Sequence, residues 1–381
     1  MRILIAPDSF KECLSAPQVA EAMADGIRRA FPDADIDLVP MADGGEGTVD
    51  ALVAADGGSY IDCDVTGPLG DPVPARYGLI QDGAAAIIEM AAASGLALVP
   101  PDRRDPCITT TRGVGELIAD ALDRGVRRIL VGLGGSATND AGAGMAQALG
   151  YRLLDASGDD LPPGGAALAD IARIDASAVH PGLAACTVQA ACDVVNPLCG
   201  PLGASEIYGP QKGASPDAVR DLDRALALFA NCIRRDLGIS VRALSGGGAA
   251  GGLGAGLVAF TNAELRSGIE LVAEACRLEA RLAHADLCLT GEGRIDGQTA
   301  HGKTPVGVAK IAARAGVPVI ALAGSLGPDF RTVYDHGVTA AFSIADGPMP
   351  LDAALERAAS LLADAAENAV RLARNRSHPD D

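Results

Sequence analysis

Apolar and polar positions fall in short blocks along this chain. Residues 2–6 (RILIA) form an apolar run closed by Pro7-Asp8-Ser9. Such a run predicts a buried parallel strand with polar residues at its carboxyl end. Ser15 and Gln18 have the spacing of a capping box. The helix they open carries Val19, Met23, Ile27 and Phe31 on one face. Residues 36–39 predict a second strand, which ends in PMADGGEGT, and a further unit begins at Ala51. The amino-terminal portion therefore reads β-α-β-α, the signature of a parallel sheet with helices packed on it.

The middle is less regular. Residues 65–73 (VTGPLGDPV) are turn-rich, 84–90 can form a strand, and 113–123 carry a helical pattern. Residues 128–133 predict a strand followed by GGSATNDAGAG and a helix through Leu149. Residues 161–167 read as a loop and 187–192 as a strand ending in Asp193. An amphipathic helix is expected over 218–237, and SGGGAAGGLGAG opens another helical segment. Strands return at 286–290, 317–323 and 340–344, before one long closing helix over 351–374 and a short tail, NRSHPDD. Both ends of the chain share a strand-alternating pattern that the middle lacks. This predicts an α/β protein in which residues 1–65 and 285–381 build one domain and residues 66–284 are inserted as a second.

Composition narrows the picture. Of 381 residues, 49% are apolar but only 3% are aromatic, so the core must be aliphatic. The net charge of −18 repels polyanions, and no basic stripe is present, which argues against nucleic acid. Only Lys11, Lys212, Lys303 and Lys310 break the preference for arginine. Codon bias accounts for the arginine excess but not for where the lysines fall. The nine cysteines are scattered without a C-x-x-C, which fits free thiols in a reducing compartment. No histidine pair has zinc spacing. No apolar run reaches about 18 residues, and MRILIAPDS is not a signal peptide. These features predict a cytoplasmic protein without a membrane span.

Ligands of open parallel sheets bind outside the carboxyl ends of the strands. The loops expected there are PDSFK, ADGGEGT, GGSATND, DVVNP and GEGRID, each carrying a carboxylate. Together they point to a shared cleft. Residues 134–144 run from strand to helix with small side chains, so Gly134, Gly135, Ser136 and Asn139 are candidates to cradle a phosphate or carboxylate. The alternative is a glycine-rich helix entry that packs on a neighbour. Residues 297–304 (GQTAHGKT) match G-x-x-x-x-G-K-[ST] in form. GEGRID separates them from the expected strand, and no Walker-B strand follows, which argues against an orthodox P-loop. Lys303 remains a phosphate-binding candidate. Residues 246–251 (GGGAAG) match G-x-G-x-x-G but follow no strong strand. Phosphoryl transfer needs Mg²⁺ held by carboxylates, cations over the developing charge and a base. Asp8, Asp43, Glu46, Asp193, Glu292 and Asp296 all lie in these loops, where each singly could serve as a cap or turn residue.

Read together, the segments resemble the type-1 glycerate kinases. The motifs APDSFKECLSA, PMADGGEGT, VTGPLGDPV, EMAAASGL, LGGSATNDAGAGMAQALG, CDVVNPLCGPLGA, YGPQKGA, GGGAAGGLGAG, LTGEGRIDGQTAHGKTPVGVA and ALAGSLG run in family order from residue 6 to residue 327. One departure is Glu12-Cys13, where the family usually has glycine and then a small residue. The resemblance implies a discontinuous Rossmann-like domain with a second α/β domain inserted and the active site in the cleft between them. It implies ATP-dependent phosphorylation of D-glycerate, at C2 rather than C3, with ATP and Mg²⁺ as cofactors. Monomer and small homo-oligomer both stay open. The residue roles rest on position in the strand-end loops: Asp193, which ends a buried strand and is followed by Asn196-Pro197, is the expected base, with Asp8 next. Lys11, Ser9, Arg294 and Lys303 are expected on phosphate or carboxylate, and Asp43, Glu46 and Asp296 near magnesium. The competing classes are an NAD(P)-dependent dehydrogenase using residues 246–251 and a non-catalytic acidic ligand-binding protein. The first lacks the strand its glycine loop needs, and the second has no use for so many loop carboxylates.

Overall fold

The computed structural model describes residues 1–374. The tail expected over 375–381 lies outside the described residues. Among them the strands are, in chain order, β1 (Arg2–Ile5), β2 (Asp35–Leu38), β3 (Ser59–Thr66), β4 (Pro72–Ile80), β5 (Ala85–Glu89), β6 (Arg128–Gly132), β7 (Arg152–Leu154), β8 (Arg173–Asp175), β9 (Thr187–Ala191), β10 (Glu264–Arg266), β11 (Leu287–Ile295), β12 (Val319–Leu326) and β13 (Ala340–Ser343). Helices alternate with them, and the chain is an α/β protein built on parallel sheets. It divides into two compact units. One contains Met1–Asp43, Asp50–Gly57 and the described residues from Ile269 onward, and the other contains Gly44–Val49 and Gly58–Gly268.

The unit holding the amino terminus has a sheet of order β13-β12-β11-β1-β2, parallel throughout. β1 lies between β2 and β11, with Ile5 opposite Leu38 on one side and Leu289 on the other. From β1 the chain passes to β2, and from β11 it passes to β12 on the opposite flank. The β1/β11 pair is thus the topological switch point, the place where open α/β sheets leave a crevice for ligands. The expected capping box forms in part: the Ser15 N–H donates to Gln18 Oε1 at 2.9 Å and helix Ala16–Ala30 follows. Its Val19, Met23 and Ile27 are buried with Ile3, Ile5, Leu289 and Leu322. Gly26 is needed there, because a Cβ would sit 1.9 Å from the Ala363 carbonyl oxygen.

Two expectations for this unit are corrected. GEGRID is not a loop after a strand ending at Thr290. β11 runs on to Ile295, because β12 continues beside it and pairs Gly291 with Leu322 through Ile295 with Leu326. The approach is close: a Cβ on Gly291 would lie 2.1 Å from the Leu322 carbonyl oxygen. The separation used to set GQTAHGKT apart from a P-loop is therefore not there. The closing helix is also not continuous. Arg357 leaves helical geometry (φ −96°, ψ 2°) between Leu351–Glu356 and Ala358–Arg374, and its guanidinium donates to Asp346 at 2.6 Å.

The second unit has a mixed sheet of order β10-β9-β6-β5-β4-β3. β5, β6, β9 and β10 are parallel, and β3 and β4 add an antiparallel hairpin. The turn-rich segment is the tip of that hairpin, where the Gly67 N–H reaches the Asp71 carbonyl at 2.8 Å. Its strands were not expected. Pro72 and Pro74 are tolerated because β5 pairs only with Gly78–Ile80, so that stretch of β4 has β3 alone as a partner. The core is aliphatic, with Tyr151, Phe229 and Phe260 in one aromatic group (centroids 4.9 and 5.9 Å apart). Among the described residues no helix is long and apolar enough to cross a membrane.

Candidate active site

In the amino-terminal unit a cavity of about 420 Å³ opens at the carboxyl ends of β1, β11, β12 and β13. Asp8, Ser9, Lys11, Asp43, Glu292, Arg294 and Lys303 line it. It thus sits at the switch point of the sheet, and most of the expected residues of this unit meet there. Asp8 follows β1, and its carboxylate accepts from the Ser9 N–H at 2.6 Å and from the Thr304 hydroxyl at 2.5 Å. Burial pushes the Asp8 carboxyl up. The Thr304 bond opposes this and the charge of Asp43 adds to it. Lys303 precedes helix Thr304–Arg314, so the Asp8–Thr304 bond ties the start of that helix to the end of β1.

Glu292 is the acid that sequence reasoning named but did not assign. It lies in the extended part of β11, is 8% exposed, and accepts from the Thr299 hydroxyl at 2.6 Å. Burial pushes its carboxyl up to about 7, while Thr299 and Lys303 act the other way. Arg294 is two residues on along the same strand, so both side chains leave on one face. Asp296, by contrast, does not line this cavity. It takes the Gln298 N–H at 2.9 Å and pairs with Arg294 at 3.2 Å.

The second unit gathers the rest at the carboxyl ends of β6 and β9. The segment 44–47 lies against them: a Cβ on Gly132 would be 2.5 Å from the Gly44 carbonyl, and one on Gly134 3.0 Å from Gly45 Cα. Glu46 is exposed on this segment, and Gly134 and Gly135 are exposed beside it. Asp193 is exposed just beyond β9, with Oδ1 accepting the Gly268 N–H at 3.0 Å. Ser136 and Asn139 are buried instead of open to a ligand. Asn139 Nδ2 donates to Ser205 at 2.9 Å, and its Oδ1 is buried without a partner.

The expected anion at the start of the helix after residue 142 is supplied by the chain itself. Asp140 is fully buried and accepts from the Thr111 N–H and hydroxyl, both at 2.9 Å, and from the Gly142 and Gly144 N–H groups at 3.1 and 3.2 Å. Burial pushes its carboxyl up and these donors pull it back. Lys212 was given no role by the sequence reading. It is 2% exposed, and its ammonium donates to the Thr138 carbonyl at 2.7 Å and to Ser136 Oγ at 3.3 Å. Burial lowers it to about 7 against the charge of Asp140. GGGAAG is a packing loop: a Cβ on Gly251 would lie 1.8 Å from the Thr138 carbonyl. That leaves no room for a dinucleotide at this turn.

The glycerate kinase family model matches residues 3–374. The chain belongs to the glycerate kinase family. It is 54% identical to a glycerate kinase of Bacillus subtilis (strain 168) over 95% of each chain. It is 51% identical to the glycerate 2-kinase of Escherichia coli (strain K12) over 97% of each. A crystal structure from Salmonella typhimurium LT2, provisionally named glycerate kinase 2, superposes with a TM-score of 0.91 at 52% identity over the whole of both chains. Glu12 sits at φ +63° in the tight turn where the Leu14 N–H reaches the Phe10 carbonyl at 2.9 Å. Glycine adopts that conformation without a Cβ clash, so it would fit the turn better than glutamate.

Proposed function

We propose that this family member transfers the γ-phosphoryl group of ATP to the C2 hydroxyl of D-glycerate. The carrying observation is the cavity at the β1/β11 switch point, which sets Lys11, Arg294 and Lys303 beside Asp8, Asp43 and Glu292. Cations there can meet ATP phosphates or a substrate carboxylate, and charge-assisted contacts of this kind position an anion firmly. Ser9 and the loop around Gly134 and Gly135 are further phosphate or carboxylate contacts in this reading. Asp193, held by the Gly268 N–H, accepts the proton of the attacking hydroxyl.

Among the described residues no group of three or more His, Cys, Asp or Glu side chains is set to hold a metal ion. Magnesium in phosphoryl-transfer sites needs only one or two carboxylates, because phosphate and water complete its shell. Asp8 and Asp43 fit that demand, since the charge of Asp43 raises the Asp8 carboxyl and a divalent cation relieves such repulsion. When bound, Mg²⁺ would neutralise phosphate charge. Of the other expected ligands, Asp296 is paired with Arg294, and Glu46 is exposed on the segment 44–47.

The test is turnover with D-glycerate, ATP and Mg²⁺, followed by phosphorus NMR of the product. A phosphomonoester on the secondary carbon is expected. A product on the primary carbon would leave the kinase assignment in place and reverse the substrate orientation. No ATP-dependent turnover would overturn the reading.

A further inference from the structure

The same cavity has a second chemical character. Besides its charged residues it is lined by Ile344, Leu351, Ala354, Leu355, Ala358 and Leu361. Ile344, Ala358 and Leu361 form a buried floor (6%, 3% and 1% exposed), whereas Leu351 and Leu355 are left 72% and 40% exposed. Large apolar side chains open to water around a concave surface mark a binding site. Glycerate does not account for this wall. Every carbon of that acid carries oxygen, so it has nothing to bury against four aliphatic faces and a leucine rim. A ligand that fits must be highly anionic at one end and flat and apolar at the other.

We propose that this wall is the nucleobase subsite: it covers the purine of the nucleoside triphosphate, whose phosphates extend to Lys11, Arg294 and Lys303. The inference rests on the kinase reading. The break at Arg357 serves it, because Leu351, Ala354 and Leu355 come from the helix before the break, and Ala358 and Leu361 from the one after it. The six wall side chains carry no nitrogen or oxygen. A site of that kind gains by area buried, and the Cys13 thiol beside it is a weak donor already bonded to the Leu355 carbonyl at 3.3 Å, so a differently substituted purine is only weakly rejected. The subsite is therefore tolerant, and GTP and ITP serve within about tenfold of ATP in kcat/KM.

The probe set is ATP, GTP and inorganic tripolyphosphate, titrated calorimetrically into the wild-type chain and into Leu351→Asp and Leu355→Asp. Both positions are exposed, so both variants should keep their fold, which thermal melting verifies. The expected result is a tenfold or greater loss of ATP affinity in each variant, with tripolyphosphate binding and the KM for glycerate within twofold of wild type. Equal losses for ATP and tripolyphosphate, unchanged ATP affinity, or a shift in glycerate KM alone would each overturn the assignment. So would a preference for ATP over GTP above a hundredfold. Absence of glycerate turnover in the wild type would instead strike the kinase reading, since the titrations report the subsite without it.

Discussion

The ammonium of Lys212 donates to the Thr138 carbonyl oxygen at 2.7 Å from a position that is 2% exposed. Burial has lowered this lysine to about 7, so it titrates far below its ordinary range. The sign of its effect on stability follows. Below pH 7 the folded and unfolded chains both carry the charge, and the cost of burying it is fully present. Above the ordinary lysine value near 10.5 both are neutral and that cost is gone. Between these limits the unfolded chain binds the extra proton, so this residue makes stability rise with pH. The change is on the order of 4 kcal/mol. Urea unfolding at pH 7, 8 and 9 should show the wild type gaining on Lys212→Met as pH rises. A difference between the two that stays constant with pH would show that Lys212 is not a buried, shifted base.

Glu12 offers a stability test at a single backbone angle. A non-glycine residue at φ +63° pays about 1–2 kcal/mol for the left-handed conformation. Glycine avoids that but brings about 0.5–1 kcal/mol of extra unfolded-state freedom. Glu12→Gly should therefore stabilise by up to about 1 kcal/mol, or raise Tm by about 1 °C in a chain of this length. Glu12→Val, β-branched, should lower Tm. If Glu12→Gly melts below the wild type, the turn does not hold the strain ascribed to it.

These two residues also show where sequence reading stops. β1 and β12 were legible because buried parallel strands are continuous apolar runs. β3 was not, because SYIDCDVT and its partner with Pro72 and Pro74 lie at a sheet margin where pattern is weak. The far half of β11 was hidden by its composition: Gly291, Glu292, Gly293 and Arg294 look like a loop until β12 is seen to pair with them. Asp8, Ser9, Lys11, Arg294 and Lys303 could be grouped from the rule that ligands sit at strand ends. Lys212 could not, because its burial depends on packing against residues 136–138, far away in sequence.

Lys303 and Lys310 share one helical region but not one environment. Lys303 lines the cavity and bears on Glu292, whereas Lys310 is exposed within helix Thr304–Arg314. Lys303→Ala should cut kcat/KM for ATP by roughly tenfold or more, the loss expected of a charge-assisted phosphate contact. Lys310→Ala should change it by less than about twofold, as an exposed charge does. Steady-state kinetics at varied ATP decides, and equal effects from the two would remove Lys303 from the phosphate site.

The remaining question is which carboxylate takes the proton of the attacking hydroxyl. Asp193 stands at the carboxyl end of β9, with one oxygen fixed by the Gly268 N–H at 3.0 Å. Asparagine nearly copies its shape and keeps an oxygen able to accept that bond, but it cannot accept a proton. Asp193→Asn should therefore lower kcat by about 10²–10⁴-fold, the usual weight of a positioned general base, while calorimetric ATP affinity stays within a few fold. Asp193→Glu should recover part of the loss if a carboxylate is what matters, and none if the residue only braces the Gly268 turn. Should Asp193→Asn keep most of its kcat, the acceptor is instead Asp8 or Glu292 in the cavity of the amino-terminal unit. Asp8→Asn and Glu292→Gln, read by the same split between kcat and ATP binding, would then separate those two.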